Sequence, residues 1–104
     1  MRDITVEAVD HFMTGTKFCK SNTCVVVEPN VTILVLFGNK IAYRYNDPEH
    51  TLSITNCGYE TNTTKERLNG IPGVHINVKK GIWYLNGKEW DGNLVDVIKN
   101  GHVS

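Results

Sequence analysis

Between Thr5 and Thr14 the apolar residues Val6, Val9 and Met13 recur at three- and four-residue spacing, the mark of a helix with one covered face. Glu7, Asp10 and His11 form its solvated face. Asp3 or Thr5 offers a side-chain oxygen to the helix start, and Gly15 takes the left-handed position past its end. A polar connector over 17–22 follows. The period then drops to two. Thr23 to Glu28 reads as a strand, Glu28-Pro29-Asn30 as turn chemistry, and Val31 to Phe37, apolar on both faces, as a central strand. Gly38-Asn39 has the composition of a two-residue hairpin loop. Beyond it, Ile41, Tyr43 and Tyr45 alternate with Lys40, Ala42 and Arg44. Asn46 to Glu49 makes the next turn and Thr51 to Thr55 a fourth strand.

Thr63 and Glu66 have capping-box spacing ahead of a short helix from Thr64 to Asn69, which Gly70 and Pro72 stop. Val74, Ile76 and Val78 alternate with polar residues as a fifth strand. Trp83 to Trp90 is a second hairpin around Asn86-Gly87, a type I′ pair, with Leu85 facing Lys88 and Trp83 opposite or diagonal to Trp90. Leu94, Val97 and Ile98 predict a last short helix ended by Asn100-Gly101. The expected fold is α+β: an antiparallel meander from Thr23 to Thr55, extended by the strands near Val74 and Trp83 to about five or six strands, with short flanking helices. One domain spans 1–104. At 104 residues with 40% apolar, the chain suffices for one core.

Charge narrows the choice of function. Eleven basic residues balance eleven acidic ones, whereas a duplex-DNA binder needs a basic excess and a DNA mimic an acidic one. The charged N-terminus lacks the apolar stretch of a signal peptide, and the longest apolar run, Ile33 to Phe37, is too short to span a bilayer. These features predict a cytoplasmic protein without membrane contact.

Candidate chemistry is sparse. Cys19 and Cys24, with Cys57, His11, His50 or His75, are the best metal candidates, but zinc sites usually show two close ligand pairs and here there is one loose pair. Three cysteines leave one over from any disulfide scheme, and Cys24 opens an apolar strand, where a thiol packs as a small hydrophobe. There is no phosphate-cradling glycine loop and no close carboxylate pair. The pattern predicts no metal, no cofactor and no catalytic residue. Two stretches stand out instead. Thr61, Asn62, Thr63 and Thr64 precede Lys65 and Arg67 at a helix start, where free N–H groups and the dipole suit an anion, although capping alone would explain the Thr and Asn richness. Trp83 and Trp90 are candidate aromatic anchors for a partner, or else close the core.

Phe37-Gly38-Asn39-Lys40-Ile41-Ala42-Tyr43-Arg44, and then Gly58-Tyr59-Glu60-Thr61-Asn62-Thr63-Thr64-Lys65-Glu66-Arg67-Leu68-Asn69, give the chain a resemblance. It resembles a family of small tailed-bacteriophage proteins with a GNKIA-x-R hairpin and a G-aromatic-x-T-x-TT-x-x-RLN segment, matched over about residues 20 to 71. That family usually has Trp where this chain has Tyr59. The resemblance implies a phage origin and action in the infected cell, where such small proteins often bind host proteins or defence components. It carries no activity with it.

The resulting expectation is a non-catalytic binding protein that engages a host or phage protein, with a nucleic-acid-binding accessory as the alternative and an enzyme as the third reading. The expected site is one polar surface made by Asn39, Lys40 and Arg44 of the hairpin with Thr61, Asn62, Thr63, Thr64, Lys65 and Arg67 of the helix start.

Overall fold

A computed structural model describes residues 2–99 and 102–103. Among these are two helices and ten short strands, in the order α1 (Asp3–Thr14), β1 (Phe18–Lys20), β2 (Thr23–Val27), β3 (Val31–Leu36), β4 (Asn39–Tyr45), β5 (Leu52–Ile54), α2 (Asn62–Asn69), β6 (Ile76–Lys79), β7 (Ile82–Leu85), β8 (Lys88–Glu89), β9 (Val95–Lys99) and β10 (His102–Val103). The fold is α+β, mostly β and antiparallel, as the alternation indicates. Seven strands form one sheet in the order β1-β2-β3-β4-β5-β9-β10, and β6-β7-β8 form a second.

The meander from β2 to β5 is the expected one, but its extensions differ. The strands near Val74 and Trp83 leave it for the smaller sheet, and β9 docks on β5 in their place. The segment expected as a last helix, with Leu94, Val97 and Ile98, is therefore the strand Val95–Lys99, with Leu94 just before it. Asp96 pairs with Ser53, whose hydroxyl donates to the Asp96 carboxylate, and Leu94 is exposed. The expected stop at Asn100-Gly101 lies outside the described residues. The connector over 17–22 contains β1, which pairs with β2 from Phe18↔Val25 to Lys20↔Thr23.

The hairpin loop between β3 and β4 is also displaced by one residue. Leu36 pairs with Asn39, so the loop is Phe37-Gly38, both at positive φ (50° and 78°), and Asn39 already belongs to β4. A bulge then shifts the register between Leu34 and Val35, opposite Ile41. It leaves Ile41 and Ala42 buried in succession, against strict alternation. The Asn86-Gly87 loop keeps its expected place, both residues having positive φ and Leu85 facing Lys88.

Both helices join one hydrophobic cluster with the sheet. On α1 the buried residues are Thr5, Ala8, Val9 and Phe12, one stripe of a 3.6-residue period. They share the core with Val25, Leu34, Leu36, Ala42, Leu52, Ile54 and Val97, and with Leu68, Ile71, Val74, Ile76, Trp83 and Trp90 beyond β5. Gly15 ends α1 in the left-handed conformation, as expected. Asn69 ties the end of α2 to the smaller sheet: its amide donates to the Ile76 carbonyl at 2.9 Å and accepts the Ile76 amide at 2.6 Å. Among the described residues, no helix is long and apolar enough to cross a membrane.

Candidate functional site

A small cavity lies where the β3–β4 loop faces the segment entering α2. Leu36 and Ile41 contribute apolar lining, Ile41 being the residue displaced by the bulge. Phe37 stands at the rim, 68% exposed and held in left-handed backbone geometry by the two-residue loop. Its amide donates to the Asn22 carbonyl at 2.8 Å, which fixes the loop against the neighbouring hairpin.

The opposing wall is built on Asn56, which is 2% exposed. Its side-chain oxygen accepts the Gly58 amide at 2.8 Å and its carbonyl the Tyr59 amide at 2.9 Å, a tight turn that presents Tyr59 to solvent. The Asn56 amide and the Thr55 hydroxyl both donate to the Gly92 carbonyl, at 3.0 and 2.7 Å. Backbone and side chain approach so closely there that a Cβ on Gly92 would overlap the Asn56 amide group. Thr61 and Thr64 complete the wall, their hydroxyls 2.9 Å apart. The volume is about 200 Å³, below the roughly 300–1,000 Å³ of sites that enclose a drug-sized ligand. It suits one inserted side chain.

Asn39, Thr61 and the buried Thr64 line this same cavity, so the structure brings three of the expected residues together. Lys40 is exposed, as are Thr61 and Asn62, whereas Thr63 and Lys65 are half-buried. Arg44 lies elsewhere. Its strand face turns toward α1, and its Nε donates to the Phe12 carbonyl at 3.1 Å near the helix C-terminus, where a cation is favoured.

Arg67 is not a surface cation. It is 1% exposed, and its guanidinium donates to Thr23 Oγ1 (3.0 Å), Thr5 Oγ1 (2.6 Å) and Glu66 Oε1 (3.0 Å). Burial and the nearby Arg2 pull its pKa down, while Glu66 holds it up. Glu66 is engaged by Thr5, Arg2 and Arg67, so it does not close a capping box. The helix cap is Thr61, whose Oγ1 accepts the Thr64 amide at 3.1 Å; α2 starts at Asn62, earlier than the Thr63-x-x-Glu66 spacing suggests.

Trp83 and Trp90 are 5% and 9% exposed and so do not protrude as anchors. Sequence reasoning missed Phe37, Tyr59 and Asn56. A phenylalanine directly before the glycine of a hairpin loop was the available signal for the first.

Cys24 is not a free buried thiol. Cys19 and Cys24 face each other across β1 and β2 and form a disulfide. Cys57 is free and exposed, yet partial burial of its sulfur pushes the thiol above its ordinary range, against a smaller opposite effect of Thr55. It rests as a thiol whose Sγ donates to the Lys40 carbonyl at 3.2 Å. Among the described residues, no three His, Cys, Asp or Glu side chains converge as metal ligands.

The family model described as Kyanoviridae Gp96 protein matches residues 1–100. No curated protein and no solved structure matches the chain. The chain belongs to that family of phage proteins.

Proposed function

We propose that this phage protein is a binding module whose Phe37–Tyr59 face receives a side chain of a host or phage protein, in host takeover or as an accessory against host defence. Phe37 carries the reading. A bulky residue at positive φ is strained, at a cost of about 1–2 kcal/mol, and asparagine or glycine would relieve it. Phe37 also recovers little by burial, being 68% exposed. Neither local geometry nor the core accounts for it, so the reading assigns it to contact with a partner. Tyr59, 55% exposed on the opposite wall, supplies the second aromatic surface. Asn39 and Thr61 add polar groups, and the volume limits the insert to about one side chain.

Nucleic acid is the weaker reading. Bases could stack on Phe37 and Tyr59, but the charge is balanced and Arg67 is consumed inside the fold. The test is capture of proteins from host lysate on immobilised wild type, Phe37→Asn and Tyr59→Ser, with and without nuclease. Asparagine tolerates the left-handed loop, so Phe37→Asn removes the aromatic ring without straining the hairpin. A protein captured despite nuclease and lost from both variants supports the proposal. Capture erased by nuclease would favour nucleic acid, and retention by both variants would dissociate this face from binding.

A further inference from the structure

The cavity between the β3–β4 loop and α2 is walled by hydrogen-bond donors that the fold leaves unused. Asn56 is almost wholly buried, and its Oδ1 is taken by the Gly58 amide at 2.8 Å. Its Nδ2 meets no acceptor among the described residues, yet it is not sealed from solvent. For a side chain so nearly buried, the cavity that Asn56 lines provides the opening. Thr64 is buried to the same degree and lines the same wall. Thr61 Oγ1 accepts the Thr64 amide and lies 2.9 Å from Thr64 Oγ1. Two hydroxyl protons meet there and the contact uses one. The other has no acceptor among the described residues, whichever hydroxyl donates.

An occupant must therefore bring acceptors. No acidic side chain lines the cavity. The positive end of α2 stands at the same wall, with Thr61 as its cap and the Asn62 and Thr63 amides bonded to no backbone acceptor. A carboxylate is thus favoured over a neutral carbonyl, and burying one is tolerated only where such donors meet it. Depth selects among carboxylates. Phe37 and Tyr59 are exposed at the rim, Leu36 and Ile41 are apolar lining, and the buried Asn56 and Thr64 lie farther in. Reaching them takes a short apolar stem ahead of the charge.

We infer that this cavity takes a glutamate side chain from the partner protein. Its two methylenes pass between the Phe37 and Tyr59 rings onto Leu36 and Ile41. Its carboxylate accepts from Asn56 Nδ2 and from the spare threonine hydroxyl, bonds that the charge strengthens. The inference rests on the binding reading above and names the residue which that face receives.

The test is titration of acetyl-Gly-Glu-Gly-amide onto the whole protein, read by the Asn56 side-chain amide and Gly58 backbone amide resonances. Glutamine or aspartate in place of glutamate, and a thymidine dinucleotide, serve as controls. The glutamate peptide should move both sets of resonances. Glutamine should bind at least about fivefold more weakly, and aspartate more weakly too, for want of reach. Asn56→Asp keeps an oxygen for the Gly58 amide but turns the cavity donor into an acceptor, and should lower glutamate affinity at least about tenfold. Thr64→Val keeps the shape and the Thr61 cap, and should lower it about threefold, which keeps the test decisive if Asn56→Asp unfolds. Glutamine matching glutamate, unmoved Asn56 resonances or unchanged affinity in the variants would overturn the assignment. Tighter binding of the dinucleotide would give the donors to a phosphate instead. A protein captured equally by wild type and Thr64→Val but lost from Phe37→Asn would leave the aromatic face standing and remove the glutamate from it.

Discussion

Thr5 Oγ1 donates to Glu66 Oε1 at 2.6 Å, a bond between side chains 61 positions apart that ties α1 to α2. The same hydroxyl accepts from Arg67 Nη1, and Arg67 Nε reaches Thr23 of β2. One guanidinium therefore holds two helices and the sheet together at a point sealed from water. Replacing it takes the donor from the Thr5 and Thr23 hydroxyl oxygens, which then keep only their own bonds to Glu66 and Asn22, and removes one of the three partners of Glu66. Arg67→Ala should cost about 3–5 kcal/mol in urea unfolding, the range for breaking a buried charged network. Lys65→Ala should stay within about 0.5 kcal/mol. Equal losses would mean that Arg67 bears no such role.

Acid should find the same network. The Thr5 hydroxyl, then Arg2 and Arg67, hold the Glu66 carboxyl below its usual range, and Thr51 does the same for Asp47. A carboxylate with a lowered pKa in the fold stabilises it while ionised. That contribution is complete above the unfolded value, about pH 4, and disappears as pH falls through the folded one. The urea midpoint should hold steady from neutral pH to about 5.5 and drop below about 4. Glu66→Gln should begin lower at neutral pH and lose less on acidification. An unchanged acid slope in that variant would remove Glu66 from the explanation.

Thr61 and Thr63 offer a sharper distinction. Because Thr61 Oγ1 accepts the Thr64 amide, Thr61→Ala should cost about 1 kcal/mol of stability. Thr63→Ala should cost less than about 0.5 kcal/mol. Thermal unfolding reads both, and the reverse order would restore the capping box that the sequence suggests. It also follows that Thr61 is a poor probe of binding. A partner lost on Thr61→Ala would reflect the frayed helix as well as the missing contact.

Local signals carried the meander and missed what depends on distant partners. The β2–β5 strands, the Asn86-Gly87 loop and the Gly15 stop all rest on residues within a few positions of each other. Leu94, Val97 and Ile98 fit a helix equally well, and only the docking of Asp96 on Ser53 decides for a strand. The Phe37-Gly38 loop was displaced because Gly38-Asn39 also satisfies hairpin composition; Leu36↔Asn39 pairing and the bulge opposite Ile41 set the register. Cys19 and Cys24 were legible as a pair once β1 is seen, since strands joined by two residues place them face to face. Of the expected site, Asn39, Thr61 and Thr64 meet because hairpin and helix start share a cavity. Arg44 and Arg67 turn away because α1, invisible to local pattern as their neighbour, offers the Phe12 carbonyl to one and Thr5 to the other.

The docking of β9 on β5 has a kinetic consequence. Ile54 pairs with Val95, and between them lie α2 and the whole smaller sheet. Closing that span of about forty residues carries a chain-entropy cost that neither the β2–β5 meander nor the β6–β8 hairpins face, since their turns are short. Refolding should therefore run on two clocks. Hairpins zip first, in microseconds, and the sheet stays open-edged at β5 until α2 and the smaller sheet have condensed beside it. During that interval β5 presents an unpaired edge to other chains. Dilution, more than any change of solvent, should govern how much of the protein reaches its native state.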